Sequence, residues 1–165
     1  MLVKDLELIE KLSKRNEDKN WRFRSYLKMQ EGKEIDLLVK PIYEFVKKNI
    51  DCLECGNCCR KLRPIILKED ISKLKTKFGI TDKEIVEKYT QKDEFDELTL
   101  KGNPCIFLNG NKCEIYKSRP NDCKSFPHLQ KRGFTTRLIG IIEYSMICPI
   151  VFNVFEELKI AMKFR

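Results

Sequence analysis

Alanine and histidine are almost missing from this chain: alanine occurs once, at Ala161, and histidine once, at His128. With one histidine, no histidine-based triad is available beyond what His128 itself supplies. A glycine-rich phosphate loop is also missing, as is the Cys-x-x-x-Cys-x-x-Cys run that would mark a radical enzyme. Long apolar runs are lacking as well. The most hydrophobic stretches, residues 139–142 and 147–155, are interrupted by Glu143, Pro149 and Asn153, far from the roughly 20 apolar residues of a spanning helix. Lys4, Asp5, Glu7 and Glu10 come too early for the apolar core of a secretory signal, so the expected setting is a soluble protein of the cytoplasm with no membrane partner. No repeat or low-complexity tract breaks the chain, and 165 residues suit one domain. A chain of this size buries roughly 68–70% of its unfolded surface, so it needs no disulfide staples to build a core.

What is present in quantity is charge and cysteine. Charged residues make up 35% of the chain and the formal net charge is +8. The basic residues are scattered: Lys11, Lys14 and Arg15, then Lys73, Lys75 and Lys77, alternate with acidic or apolar neighbours and read as solvated faces. No nucleic-acid motif accompanies them. The Lys, Glu and Ile bias beside scarce alanine is of the kind found on hyperthermophile surfaces. The eight cysteines are the unusual feature. A reducing cytosol disfavours disulfides, so eight thiols there point to metal ligation or catalysis. Eight thiolates on two dications, or on two four-iron clusters of core charge +2, would bring the net charge from +8 to about +4.

Hydrophobic spacing gives an outline of the fold. Leu2, Leu6, Ile9 and Leu12 share one face of an N-terminal helix, and Ile35, Leu38, Ile42, Phe45 and Val46 repeat the helical spacing, with Pro41 bending or restarting it. A charged, aromatic-bearing stretch from Lys14 to Gly32 lies between them. Asp70 is positioned to cap a helix through Phe78 that Gly79 ends, and Thr81 with Glu84 makes a capping box for a helix through Tyr89. These two helices read as an insertion. Phe95–Leu100, Cys105–Leu108 and Cys113–Tyr116 read as strands, the last two joined at Asn109-Gly110 so that Cys105 and Cys113 approach each other. Thr135–Ile142 reads as another strand, and Phe152, Phe155 and Leu158 as a closing helix. The expected fold is a small α+β domain organised around a cysteine-rich metal site, residues 50–165, with an N-terminal helical extension over residues 1–49.

The strongest chemical signal is Cys52-x-x-Cys55-x-x-Cys58-Cys59. Two-residue gaps let successive thiolates turn onto one centre, a spacing iron–sulfur proteins use repeatedly and zinc sites share. Gly56 permits the positive φ that such a loop needs. Adjacent side chains tend to diverge, so Cys58 and Cys59 are expected to serve different centres, or one of them to stand behind the ligands. Buried free cysteine is a good account of an isolated thiol but a poor one of four within eight residues. Cys105, Cys113, Cys123 and Cys148 complete the ligand set, with Cys148, inside an apolar stretch, the weakest member. Arg119 and Tyr116 are candidates for hydrogen bonding to sulfur or anchoring an anion, against the plainer roles of a turn before Pro120 and a core ring. His128 is an alternative ligand or proton carrier, against an ordinary surface histidine. Asp93, Glu94, Asp96 and Glu97 read as solvated loop charge.

Beyond the first run, Pro104-Cys105-x-Phe107-Leu108 and Cys113-x-Ile115-Tyr116-x-x-Arg119-Pro120-x-x-Cys123-x-x-Phe126-Pro127 follow in order. Together these motifs resemble the YkgJ-type CxxCxxCC family over about residues 50–150. Members are described as zinc- or iron-chelating proteins or iron–sulfur oxidoreductases, and a related cysteine pattern occurs in flagellin lysine methylases. The resemblance implies a metal site and little about substrate; with it, the leading expectation is an iron–sulfur protein carrying one or two 4Fe-4S clusters, with a redox or cluster-assisted transfer role and a redox or metal-delivery protein as partner. The alternatives are a zinc-binding structural module without catalysis and, from the likeness to the methylases, an S-adenosylmethionine-dependent protein methyltransferase.

Overall fold

A computed structural model describes residues 2–165. These form two compact units, residues 2–51 with Pro127–Arg165 and the intervening Cys52–Phe126. The chain is 61% helical with two small antiparallel sheets, an α+β composition weighted towards helix.

The chain opens with α1 (Leu6–Arg15), α2 (Glu17–Lys28) and α3 (Gly32–Asn49). Asp5 starts α1 by accepting the Leu8 N–H at 2.7 Å, and basic Lys14 and Arg15 occupy its last turn, where the helix dipole favours them. The stretch from Lys14 to Gly32 therefore folds mainly as α2, whose Phe23 and Leu27 are buried at helical spacing. Helix α3 runs through Pro41, which sits on an exposed face. There water can satisfy the carbonyl that the missing N–H leaves over.

In the central unit, two short helical turns, α4 (Cys52–Cys55) and α5 (Asn57–Lys61), precede α6 (Lys68–Phe78) and α7 (Asp82–Tyr89). Helix α6 begins two residues before the expected cap: Asp70 lies in its first turn and accepts the Leu67 N–H at 3.2 Å. Gly79, at φ 67°, ends it. The Thr81–Glu84 capping box forms as read, with the Thr81 N–H donating to Glu84 at 2.8 Å. Neither helix is an insertion. Leu74, Ile85 and Tyr89 join Ile66, Leu100, Phe107 and Ile115 in the unit's own core, and Cys105 and Cys113 pack against it. The Phe78 ring stacks on Tyr89 and on Phe107, and those two rings meet tilted.

Strands β1 (Thr90–Lys92) and β2 (Leu98–Leu100) pair antiparallel, Thr90 opposite Leu100. The expected strand from Phe95 is shortened because Asp93 folds the chain into a turn, accepting the N–H groups of Phe95 and Glu97. Strands β3 (Leu108–Asn109) and β4 (Lys112–Cys113) make a minimal hairpin with Gly110 and Asn111 in the turn. The turn thus falls one residue later than Asn109-Gly110. Cys105–Phe107 forms a turn rather than a strand, the Leu108 N–H donating to the Cys105 carbonyl at 2.9 Å, and Tyr116–Ser118 is a short 3-10 turn. The helix α8 (Asn121–Ser125) carries Cys123.

The first unit resumes with α9 (Leu138–Ser145) and α10 (Pro149–Ala161). Residues 135–142 were expected as a strand, but they form a 3-10 turn (Phe134–Thr136) and the first part of α9. Burial of Leu138, Ile141, Ile142 and Ser145 follows helical spacing and overrides β-propensity. Asp36 fixes the entry by accepting the N–H groups of Gly133 at 2.7 Å and Phe134 at 2.9 Å. Helix α10 packs on α3, α9 and α1, with Phe155 against Phe23 at 5.2 Å between ring centroids. No single helix among the described residues is long and apolar enough to cross a membrane; α9 and α10 reach that composition only as a pair bent by 116°. Nine of the thirteen residues of α10 are buried within this fold.

Candidate metal centre

Seven of the eight cysteines lie in the Cys52–Phe126 unit and one, Cys148, in the helical unit. None of them forms a disulfide. Gly56, in the left-handed region at φ 59°, separates α4 from α5 and so reverses the chain between Cys55 and Cys58. A Cβ there would stand 3.0 Å from the Asn111 carbonyl oxygen, so the loop approaches the β3–β4 hairpin closely enough to require glycine. Two side chains clamp that approach. The Arg60 guanidinium donates to the carbonyls of Cys55 at 3.0 Å and Gly110 at 2.9 Å and to the Asn111 side chain, while the Asn111 amide donates to the Glu54 carbonyl at 2.9 Å.

The clamp gathers sulfur. The Cys105 N–H donates to the Cys59 carbonyl at 2.8 Å, bringing the second cysteine segment alongside the first. Cys59, Cys105 and Cys113 each raise the pKa of Cys123, and Cys59 does the same to Cys105 and Cys113. These mutual influences place the four thiols in one neighbourhood of the unit. Cys105 and Cys113 pack against the same core cluster, though only Cys113 belongs to a strand. Cys58 joins the group through its neighbour, Sγ to Sγ 4.0 Å from Cys59. This corrects the expectation that the adjacent side chains diverge: the one-turn helix α5 turns both sulfurs the same way. Cys52, exposed at the start of α4, and Cys55 at its end stand beside the hairpin.

The electrostatics divide the thiols. Cys59 is drawn down from 9.0 to about 7, first by the hydrogen bond from Cys58, with Arg60 assisting against burial. Burial pushes Cys105 and Cys113 up, and Cys123 to about 12, the last also by the charges of Cys59, Cys105, Asp122 and Cys113. Two backbone donors oppose this. The Phe107 N–H points at the Cys105 sulfur and the Ile115 N–H at the Cys113 sulfur, each two residues along the chain. Amide donors aimed at sulfur are what a thiolate centre needs to stabilise its charge.

Arg119 stacks over the Tyr116 ring at 3.8 Å, donates to the Tyr116 carbonyl at 2.6 Å and lowers the Cys113 pKa. It is therefore both part of a turn and near a sulfur. Cys148 is buried at the start of α10, its N–H bonded to the Tyr144 carbonyl at 2.9 Å, and His128 also belongs to the helical unit. The Arg60–Asn111 clamp had no signal in the sequence, and Asp70 was legible only as a helix cap. Buried Asp70 accepts from the Asn121 N–H and the Lys73 ammonium, both at 3.0 Å, which pins the start of α8 two residues before Cys123.

Among the described residues no three Cys, His, Asp or Glu side chains are already set at ion-holding geometry. The donor set nonetheless fits a soft metal: converging sulfurs, backbone amides directed at two of them, and two guanidinium groups nearby suit zinc or iron–sulfur ligation rather than an oxygen-seeking ion. Seven cysteines in one small unit make it a candidate thiol-rich metal-binding module. A family model described as "CxxCxxCC: Putative zinc- or iron-chelating domain" matches residues 51–139, more than half of the chain, and the chain belongs to that family. The match takes in Cys52 to Cys123 and stops short of Cys148. The uncharacterized protein MJ0661 of Methanocaldococcus jannaschii is 35% identical over 81 residues, which is 47% of this chain and 43% of that protein. The chain therefore spans less than half the length of the curated relative it matches. No solved structure matches it.

Proposed function

We propose that the Cys52–Phe126 unit binds an iron–sulfur cluster and serves a redox or cluster-assisted transfer role. The observation that carries the metal reading is the number of thiols: seven cysteines in one unit are more than one four-thiolate centre needs, and iron is favoured over zinc by the family resemblance. Cys59, Cys105, Cys113 and Cys123 form the gathered set, and Cys52, Cys55 and Cys58 adjoin it. Backbone amides at Phe107 and Ile115 and the guanidinium groups of Arg60 and Arg119 would hold charge on the sulfurs, the means by which a protein tunes a cluster's potential. A bound cluster supplies electron transfer; the chain's part is to hold the thiolates and limit water. The reading places the protein in a reducing cytoplasm, with a redox or metal-delivery protein as partner.

A second reading, a zinc-stabilised module without chemistry, is favoured by one distance. Thiolates bound tetrahedrally at about 2.3 Å stand roughly 3.8 Å apart on one ion. Cys58 and Cys59 are at 4.0 Å, a spacing that suits a shared single ion. Anaerobic purification with iron, sulfide and zinc analysis and electron paramagnetic resonance separates the two. A brown protein with iron and sulfide is the expected result. A colourless protein with stoichiometric zinc, unchanged by anaerobic reconstitution, overturns the first reading in favour of the second.

A further inference from the structure

The helical unit contains a half-open cavity of about 420 Å³ whose lining includes none of the cysteines. Four basic side chains face it, Arg24 and Lys28 from α2 with His128 and Arg137 from the segment before α9, and among the described residues no aspartate or glutamate lines it. The remaining wall is largely apolar, with Leu138 and Tyr144 contributing. We propose that this cavity is a binding site for a small organic anion, an oxyanion head on an apolar body, independent of the metal centre.

Three observations lead there. Arg24 and Lys28 are four residues apart on one helical face, a like-charge pairing whose small cost an anion between them would relieve. The Arg24 side chain is held near the Trp21 ring at 5.7 Å, yet its Nε is buried with no hydrogen-bond partner in the protein. A buried guanidinium donor left without an acceptor calls for one from outside the chain. Arg137, by contrast, is fixed: its guanidinium donates to the carbonyls of Arg132, Gly133, Lys131 and His128 at 2.6 to 3.3 Å, which sets its position without cancelling its charge.

The backbone adds to the field. Helix α9 starts at the cavity wall with no side-chain cap on its first turn, so its free N–H groups add positive potential there. A cavity at the lower end of the usual 300–1,000 Å³ range takes a ligand of about one ring with its charged head rather than a nucleotide. The apolar wall distinguishes such a ligand from a bare inorganic anion.

The test is calorimetric titration of the full-length protein with phenyl phosphate, phenylacetate, inorganic phosphate and benzyl alcohol. Saturable binding of one or both aromatic anions, at least about tenfold tighter than inorganic phosphate or the neutral alcohol, is expected, with Arg24→Gln and Lys28→Gln each weakening it about tenfold. The preferred aromatic anion then assigns the head as phosphate ester or carboxylate. Lys28 is exposed, so its substitution leaves folding intact even if Arg24→Gln does not. No saturable binding of either aromatic anion overturns the proposal. So does equal binding of inorganic phosphate or benzyl alcohol, or binding that Lys28→Gln leaves unchanged. The result does not depend on which metal the other unit holds, because none of its ligand candidates lines this cavity.

Discussion

The sulfurs of Cys58 and Cys59 lie 4.0 Å apart, within reach of a thiol hydrogen bond. That hydrogen bond is the largest influence drawing Cys59 down from 9.0 to about 7. At pH 7 about half of Cys59 is then thiolate, against about one per cent for an undisturbed thiol. In metal-free, reduced protein Cys59 should be alkylated by iodoacetamide well before Cys105, Cys113 or Cys123. Cys58→Ala, which removes the donor, should slow it. Peptide mass spectrometry of a timed reaction measures both, and an unchanged Cys59 rate in the variant would count against the hydrogen bond as cause.

Metal loading should release protons. Burial keeps Cys105, Cys113 and Cys123 above their ordinary value, so all three are protonated at neutral pH, whereas ligation requires thiolates. Binding through these sulfurs should liberate about three protons, and affinity should fall steeply as pH is lowered. Loading in a weakly buffered indicator solution counts them. Release of fewer than one proton per protein would mean that these thiols are not ligands.

The capping box at Thr81 and Glu84, the end of α6 at Gly79 and the terminal helix around Phe155 were legible because each depends on a few adjacent residues and local geometry. The stretch Thr135–Ile142 misled because β-branched residues advertise a strand, while Asp36, about a hundred positions away, supplies the contacts that start a 3-10 turn and then a helix. The metal site was legible as a cysteine list but not as an arrangement. Spacing announces Cys52 to Cys59, yet the convergence of Cys59, Cys105, Cys113 and Cys123 depends on a backbone bond between Cys105 and Cys59 and on the Arg60–Asn111 clamp. Neither leaves a periodic trace. The cationic cavity was invisible for the same reason, because Arg24 and His128 are distant in sequence.

Gly56→Ala should loosen the clamp. The added Cβ meets the Asn111 backbone at 3.0 to 3.1 Å, where nothing can rotate away, and φ 59° is itself unfavourable for alanine. A loss of about 1–3 kcal/mol in stability is expected, together with weaker metal retention. Chemical denaturation and metal analysis of the purified variant check the two effects. A variant as stable and as metal-rich as the parent would show that the hairpin yields freely.

Lys159 is buried beside Asn20 and Glu156, to which it donates, and its ammonium lies 5.0 Å from the centre of the Phe155 ring. Burial lowers its pKa below 10.5, with Glu156 opposing. A base whose folded pKa is depressed binds fewer protons folded than unfolded, so its contribution to stability rises with pH through the window below 10.5. Trp21, the sole tryptophan, lies in the helical unit and reports that unit's unfolding. Urea titrations followed by its fluorescence from pH 8 upward should show this rise in the parent and lose it in Lys159→Met. An identical pH dependence in both proteins would assign it to other groups.

Asp70 is the test of whether helix α6 positions a ligand it does not contain. Its buried carboxylate accepts from three donors, the N–H groups of Leu67 and Asn121 and the ammonium of Lys73, which itself reaches the Asn121 side chain at 2.7 Å. Asn at this position keeps one acceptor oxygen and turns a donor towards donors, so Asp70→Asn should cost about 1.5–3 kcal/mol. If the bond to Asn121 sets the start of α8, metal affinity should fall as well, because Cys123 follows two residues later. Asp70→Ala leaves the donors unsatisfied without adding a repulsive one, and should lose affinity to a similar degree. Loss of stability with metal affinity unchanged in both variants would separate the two roles and leave Asp70 a purely structural residue.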